Sequence, residues 1–198
     1  MSKLILQQQI TLDGFVCGPR GEVDWAFPGL DNDAAVWVVE HLWQAGFHLM
    51  GAVTYRDMAA TWPHSAEPYA PPMNNIPKIV FSRNLKEAPW GETQIIAGDL
   101  TTEIARLKNE PGRDLLAHGG VRFVRALIRS GLVDEYRLIT HPVVLGDGSS
   151  LFSECNGPLR FTLVESTIFK TGTIAKVFRP SAALDGSPSP ELYRHHDA

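Results

Sequence analysis

Short apolar runs alternate along the chain with segments whose apolar residues recur every three or four positions. The short runs are typical of buried β-strands, and the longer spacing is typical of helices with one buried face. Strands are predicted over residues 3–10, 47–51, 78–81, 93–97, 115–118, 132–140, 160–169 and 173–178. Helices are predicted near residues 32–45, 53–61, 100–110 and 121–129. Strands and helices therefore alternate over the first two thirds of the chain, and two strands follow each other near its end.

This order predicts a single α/β domain over residues 1–179. Alternating strands and helices give a mostly parallel sheet with helices on both faces. The two late strands, joined around residues 170–172, give an antiparallel C-terminal edge. Residues 180–198 are poor in apolar side chains, so we expect a tail that is flexible or docks on a partner.

The composition narrows the class of protein. The 198 residues are 44% apolar and 20% charged, as is ordinary for a globular domain. The net charge of −4 argues against a nucleic-acid-binding surface. Cys17 and Cys155 are too few for a disulfide framework or a zinc site, and we expect no bound metal. The two cysteines fit a reducing compartment, so we expect a cytoplasmic protein. No apolar run approaches the roughly 20 residues that span a bilayer.

A candidate ligand-binding turn lies between the strand at 115–118 and the helix that follows it. Gly119 and Gly120 occupy this turn. Glycine lets a ligand approach the backbone closely, and the free N–H groups at a helix start attract anions. An ordinary tight turn explains the same residues, so the pair of glycines alone leaves both interpretations open.

Two further turns follow predicted parallel strands and therefore belong to the same edge of the sheet. Their polar and glycine residues are Gly51, Thr54, Ser82, Arg83 and Asn84. The guanidinium of Arg83 can pair with a phosphate through two parallel hydrogen bonds. Three such turns at one edge suit a ligand with several phosphates, such as a dinucleotide.

Residues 15–30 are predicted to form a long loop that contains Asp24 and Trp25. Long loops inside compact domains are often functional. A disordered excursion is the alternative that the sequence leaves open.

Several short motifs, taken in order, resemble the dihydrofolate-reductase-like family. They are Thr11-Leu12-Asp13-Gly14, Gly18 through Asp24-Trp25, Gly51-x-x-Thr54-Tyr55, residues 78–83 and Gly119-Gly120. Residues 131–138 and 142–152 look like the reductase domain of the riboflavin-biosynthesis deaminase/reductase and its stand-alone relatives. The resemblance implies a central sheet of about eight strands and NADPH as hydride donor. The zinc-binding signature of the deaminase half is absent from the sequence, so a complete riboflavin-pathway enzyme is not expected.

The resemblance also implies which residues hold the cofactor. They are Gly51, Val53, Thr54, Tyr55, Ser82, Arg83, Asn84, His118, Gly119, Gly120, Val121, Arg122 and Phe123. A basic residue often follows the first of these glycines in the family, but here the position is Ala52. Preference for NADPH then depends on Arg83, and NADH is the alternative. His118 either contacts the cofactor or is a partly buried histidine whose hydrogen bonds are satisfied within the protein.

The working hypothesis is a reductase that transfers hydride from NADPH to a small heterocyclic or carbonyl-like substrate of the pterin or pyrimidine type. Asp13 is the candidate catalytic residue because it follows the first strand at the cofactor edge, and an Asx-turn is its alternative role. Asp24 and Trp25 are expected to line the substrate, with the loop as a lid. The alternative function is a dinucleotide-binding or assembly module without efficient catalysis.

The resemblance implies a homodimer. The late strands, together with residues 142–152, offer apolar edge surface that a second copy could cover.

Overall fold

The computed structural model describes residues 1–155 and 157–181. Its strands are β1 (Leu4–Thr11), β2 (Phe15–Cys17), β3 (Ala45–Gly51), β4 (Lys78–Phe81), β5 (Thr93–Ile96), β6 (Asp114–Ala117), β7 (Glu135–His141), β8 (Ser149–Ser150), β9 (Phe161–Ile168) and β10 (Ile174–Pro180). Its α-helices are α1 (Asn32–Leu42), α2 (Ala52–Thr61), α3 (Ala70–Asn75), α4 (Leu100–Asn109) and α5 (Val121–Ser130). Two 3-10 helices, Asp24–Gly29 and Trp62–His64, complete the described elements.

Eight of these strands form one sheet in the order β5-β4-β3-β6-β1-β7-β10-β9. Neighbours from β5 to β7 pair in parallel, whereas β10 is antiparallel to both β7 and β9. The predicted mostly parallel sheet with an antiparallel C-terminal edge is therefore confirmed. The carboxyl ends of the parallel strands lie along one edge, which is where open α/β sheets bind their ligands.

Side chains that alternate along β1 build both faces of the core. Leu4 packs in a buried cluster with Leu127 of α5. Ile5 belongs to a second buried cluster with Trp37 of α1. Helices thus cover both faces of the sheet, as the alternation of elements predicted.

The segment predicted as a loop, residues 15–30, contains regular structure, and this part of the prediction was wrong. β2 pairs antiparallel with β8, and the 3-10 helix Asp24–Gly29 follows it. β2 and β8 are only three and two residues long, which is too short for a periodic pattern to reveal them. The pairing joins the segment after β1 to the segment after β7.

Some predicted boundaries also move. Helix α1 ends at Leu42, and β3 already begins at Ala45. Strand β7 begins three residues later than predicted, because its pairing in register with β1 starts at Glu135. The carboxylate of the preceding Asp134 accepts the N–H of Leu4 at 2.8 Å and pairs with Lys108 Nζ at 2.7 Å. Apart from Pro180 and Ser181, the predicted tail lies outside the described residues. Within the described ranges, every helix is too short or too polar to cross a membrane.

Candidate functional site

The three turns predicted to share an edge of the sheet do meet there. Gly51, at the end of β3, is in register with Phe81 at the end of β4. Gly51 also approaches α5, since a Cβ atom built on it would lie 3.4 Å from the Cβ of Phe123. The rings of Phe81 and Phe123 stack with centroids 5.5 Å apart. The carboxyl ends of β3, β4 and β6 therefore form one continuous surface.

The Gly119–Gly120 turn lies directly against helix α2. Gly120 has a φ of +87°, which side-chain-bearing residues rarely adopt. A Cβ atom on Gly120 would lie 2.6 Å from the hydroxyl oxygen of Thr54. Only glycine therefore fits at this position without displacing a neighbour.

Helices α2 and α5 begin at this surface without side-chain caps. Their N-cap residues are Gly51 and Gly120, and neither first turn contains an acidic residue. Helices α1 and α4 are different, because Asp31 and Asp99 accept backbone N–H groups at their first turns. The free N–H groups of two adjacent helix starts thus remain for an external acceptor, and both helix dipoles favour an anion there.

Among the predicted cofactor residues on β4 and the loop after it, Ser82 has a local role. Its hydroxyl oxygen accepts the N–H groups of Asn84 at 3.2 Å and Leu85 at 3.0 Å, which fixes the turn. Asn84 and Arg83 are both exposed. Hydrogen bonds from Thr102 lower the pKa of the Asp99 carboxyl, and the positive charge of Arg83 lowers it further. The structure therefore leaves the Arg83 guanidinium accessible to a ligand.

The remaining predicted residues around α2 and α5 differ in accessibility. Arg122 and Val53 are exposed, whereas Val121 is half-buried. Tyr55 is buried, and its hydroxyl oxygen accepts the N–H of Trp90 at 2.8 Å. Tyr55 thus supports the α2 side of the surface from below, and its burial keeps it away from a ligand.

His118 is buried beneath the Gly119–Gly120 turn and paired with a second histidine. Its Nε2 lies 2.8 Å from Nδ1 of His48, and Nε2 of His48 lies 3.2 Å from the carbonyl oxygen of Pro72. Burial lowers the pKa of His118 to about 4 and lowers that of His48 well below its ordinary value. Sequence reasoning missed His48, because one histidine in the apolar strand β3 gives no signal that a second lies beside it.

The 3-10 helix Asp24–Gly29 packs over the carboxyl end of β7 and the residues just before β10. The carbonyl oxygen of Gly29 accepts the hydroxyl groups of Thr171 and Thr173, each at 2.9 Å. Trp25 meets the ring of His141 edge-on, with centroids 5.5 Å apart. Asp24, predicted with Trp25 to line the substrate, is exposed.

Asp13 holds two loops together. Its carboxylate accepts the N–H of Gly146 at 2.8 Å, the N–H of Leu145 at 3.1 Å and the hydroxyl group of Thr11 at 2.6 Å. These hydrogen bonds, the one from Thr11 first, lower the pKa of Asp13. The carboxylate is therefore ionised at neutral pH. It anchors residues 145–146 instead of forming an Asx-turn, because the N–H of Phe15, two residues after Asp13, donates to the hydroxyl oxygen of Thr11 at 2.9 Å.

Two buried hydrogen-bond acceptors near the 3-10 helix were not predicted from the sequence. Oδ2 of Asp31 and Nδ1 of His141 have no partner among the described residues. Nε2 of His141 lies 2.5 Å from Oε1 of Gln9. An amide oxygen only accepts, so Nε2 carries the proton and Nδ1 is a bare acceptor. Burial lowers the pKa of His141 to about 4, which keeps the ring neutral at pH 7.

These elements correspond to a known family. The sequence model of the RibD C-terminal domain matches residues 2–175. The chain belongs to the RibD C-terminal domain family. The family resemblance drawn from the short motifs is thereby confirmed.

The chain is similar in sequence to one relative and in structure to two solved proteins. It is 32% identical to the uncharacterized protein YyaP of Bacillus subtilis over 181 residues, which cover 89% of this chain and 94% of YyaP. The second is a deaminase/reductase of Thermotoga maritima, whose name refers to a phosphoribosylaminopyrimidine and a phosphoribosylaminouracil. It superposes on this chain with a TM-score of 0.66 at 19% sequence identity. The superposition covers 91% of this chain and 57% of the Thermotoga chain. The third is dihydrofolate reductase from Enterococcus faecalis, complexed with NADP(H), which superposes with a TM-score of 0.61 at 14% sequence identity. This superposition covers 91% of this chain and 97% of the Enterococcus chain. The two solved structures confirm the dihydrofolate-reductase-like fold.

Proposed function

We propose that the protein is an NADPH-dependent reductase that transfers hydride to a small heterocycle of the pyrimidine or pterin type. The observation that carries the proposal is the meeting of two uncapped helix starts, at Gly51 and Gly120, in a chain of the RibD C-terminal domain family. The bound nicotinamide supplies the hydride, and the protein supplies position, charge and exclusion of water.

The residues present fit a dinucleotide. The free N–H groups at the starts of α2 and α5 suit a pyrophosphate, and Gly120 allows its close approach. Arg83 and Arg122 are exposed cations on either side of this surface and suit a phosphate monoester. Because Ala52 contributes no charge, discrimination between NADPH and NADH depends on these two arginines.

The substrate end of the proposed site lies under the 3-10 helix Asp24–Gly29. Asp31 Oδ2 is a buried acceptor without a partner in the described part of the chain. His141 Nδ1 is also unpaired there, but Gly29 packs directly against it, so Asp31 is the acceptor that we assign to the substrate. An acceptor of this kind matches the amino and ring N–H donors of aminopyrimidines and pterins. Trp25 adds an aromatic surface for a flat ring. The polarity of this end therefore supports the proposed substrate class.

Asp13 remains the candidate catalytic residue, with a changed role. The hydrogen bonds that lower its pKa make it unsuitable as an acid at neutral pH. We propose that Asp13 supplies a negative charge at the end of β1 and holds residues 145–146 in place through their N–H groups. The proton that accompanies hydride transfer then comes from water or from another group.

The alternative is a dinucleotide-binding or assembly module without efficient catalysis. The occupied carboxylate of Asp13 and the uncharged Ala52 favour it. NADPH oxidation measured against pteridines, pyrimidines and quinones separates the two functions. Turnover with a pyrimidine or a pterin supports the reductase, and NADPH binding without oxidation by any of the panel supports the module.

We also propose that the protein is a cytoplasmic homodimer. β9 forms the outer edge of the sheet, and its side chains Leu163, Val164 and Ile168 are 52%, 48% and 75% exposed. An edge strand with exposed apolar side chains is a ready surface for a second copy. This locates the proposed interface on β9 and makes residues 142–152 secondary to it.

A further inference from the structure

We propose that His48 is a positioning residue for the dinucleotide site, and that it fixes His118 as a hydrogen-bond acceptor beneath the Gly119–Gly120 turn. The inference rests on the proposed binding of a dinucleotide and deepens it. It assigns a function to two buried histidines that the proposed function leaves without one.

The chain of hydrogen bonds starts at a backbone carbonyl group. The oxygen of Pro72, in α3, can only accept, so Nε2 of His48 must carry the proton in the contact at 3.2 Å. In a neutral imidazole the other nitrogen is then bare, so Nδ1 of His48 accepts. Nε2 of His118, which lies 2.8 Å away, therefore carries a proton and donates it.

The same reasoning leaves Nδ1 of His118 without a proton. This nitrogen makes no hydrogen bond to the described side chains and backbone groups, and His118 as a whole is 8% exposed. His118 directly precedes Gly119, so the acceptor belongs to the same turn as the proposed phosphate site. A carbonyl group in α3 thus determines which nitrogen is available at the end of β6.

This series of hydrogen bonds requires both imidazole rings to be neutral, and their surroundings keep them so. His48 is fully buried, and the positive charge of Lys78 on the neighbouring strand further disfavours its protonation. The Lys78 ammonium group is itself held by the carbonyl oxygens of Asn74 and Ile76, at 3.0 and 2.9 Å. No carboxylate among the described residues makes a hydrogen bond or ion pair with either ring.

An acceptor complements a site that otherwise offers donors. The helix starts present N–H groups to the phosphates, and a dinucleotide also carries hydroxyl and amide donors close to its phosphates. A neutral His118 with a bare Nδ1 accepts one such donor, whereas the opposite tautomer or a protonated ring would present a competing N–H group. Loss of His48 therefore weakens cofactor binding without removing any atom that touches the cofactor.

Imidazole ¹⁵N spectra of the wild-type protein test the tautomer directly. The His118 signals, assigned from the variant His118→Gln, should show a proton on Nε2 and none on Nδ1. Saturation with NADPH should shift the Nδ1 resonance of His118. A proton on Nδ1 in the free protein, or an Nδ1 resonance that NADPH leaves unchanged, would overturn the inference.

Calorimetric titration of variants with NADPH tests the positioning role. His48→Leu should weaken NADPH binding by about tenfold, which is the effect of one lost buried hydrogen bond. His48→Gln, whose amide can accept from His118 and donate to Pro72, should recover most of the affinity. His41→Leu is the matched control, because it removes a partly buried imidazole that bonds only the carbonyl oxygen of Trp37 in α1. Wild-type affinity in His48→Leu, or no recovery in His48→Gln, would refute the positioning role.

The two proposals fail in different ways. If wild-type protein shows no NADPH binding, the proposed function and the ligand contact of His118 both fail. The tautomer of His118, measured in the free protein, still tests whether His48 fixes His118 as an acceptor. Binding of NADPH with the opposite tautomer would retain the proposed function and remove the role of His48.

Discussion

At the residue scale, the conformation of Gly120 is the feature that depends most strongly on one amino acid. Replacing Gly120 with Ala places a methyl group 2.6 Å from Thr54 Oγ1 at a φ of +87°. We expect Gly120→Ala to lower the free energy of unfolding by roughly 1–3 kcal/mol. Urea unfolding followed by circular dichroism measures this change.

Gly119→Ala is the matched control for this substitution. A Cβ atom on Gly119 meets nothing within 4 Å, and its φ is not positive. Its stability should therefore remain within about 0.5 kcal/mol of the wild-type value. Equal stability of the two variants would contradict the close contact between the turn and α2.

The proposed role of Asp13 gives a second residue-scale prediction. Asp13→Asn removes the negative charge at the end of β1 and keeps the size of the side chain. We expect turnover with a true substrate to fall by at least roughly tenfold while the Kd for NADPH stays unchanged. Asp99→Asn is the control, since Asp99 is also an exposed carboxylate that accepts backbone N–H groups, at the start of α4. Unchanged turnover in Asp13→Asn would remove Asp13 from the mechanism and leave it as a loop anchor.

At the element scale, the exposed strand β9 predicts the oligomeric state. Ile168→Lys places a charge on the side chain that is 75% exposed at this edge. If β9 forms the interface between two copies, the variant should be monomeric at micromolar concentration, because burying an unpaired ammonium group is unfavourable. Light scattering coupled to size-exclusion chromatography measures the mass.

The control for this experiment is Leu12→Lys, at an apolar residue that is 68% exposed between β1 and β2. It should leave the dimer intact. A monomeric wild-type protein, or a dimer that survives in Ile168→Lys, would exclude an interface through this part of β9.

The elements also show what the sequence could and could not predict. The strands with long apolar runs were located because burial on both faces of a parallel sheet requires continuous apolar residues. β2 and β8 were missed because their pairing depends on contacts between residues more than 130 positions apart, such as Phe15 with Ser150. The start of β7 was misplaced because the apolar residues Leu132 and Val133 continue its sequence pattern, whereas pairing in register with β1 starts only at Glu135.

The candidate site divides in the same way. Gly51, Gly120 and Arg83 could be found because turns after parallel strands share one edge of the sheet, and the motifs there resemble a family. His48, Asp31 and His141 could not, because their roles depend on partners such as Pro72 and Gln9 that only the tertiary structure brings near. Spacing along the chain contains no information about which buried acceptor stays unpaired.

At the scale of the whole molecule, the buried neutral histidines predict the pH dependence of stability. Burial lowers the pKa values of His118 and His141 to about 4, from an ordinary value of 6.5. Between these values the unfolded chain binds protons that the folded protein does not, so stability falls as pH decreases from about 6.5 to about 4. Above 6.5 their contribution is complete.

We expect the loss to be on the order of 3 kcal/mol for each of these imidazoles. Urea unfolding at pH 7, 5.5 and 4.5 measures it. The double variant His118→Gln/His141→Gln should show a clearly weaker pH dependence over this range. An unchanged dependence in that variant would mean that the two rings already accept protons in the folded protein.

The central claim for the whole molecule is that two uncapped helix starts at one edge of a parallel sheet form a dinucleotide site. Titration calorimetry of the wild-type protein with NADPH tests it most directly. The account predicts saturable binding of one NADPH per chain, weakened in Arg83→Ala and in Gly120→Ala. Absence of binding heat at millimolar NADPH, together with an unchanged melting temperature, would contradict it.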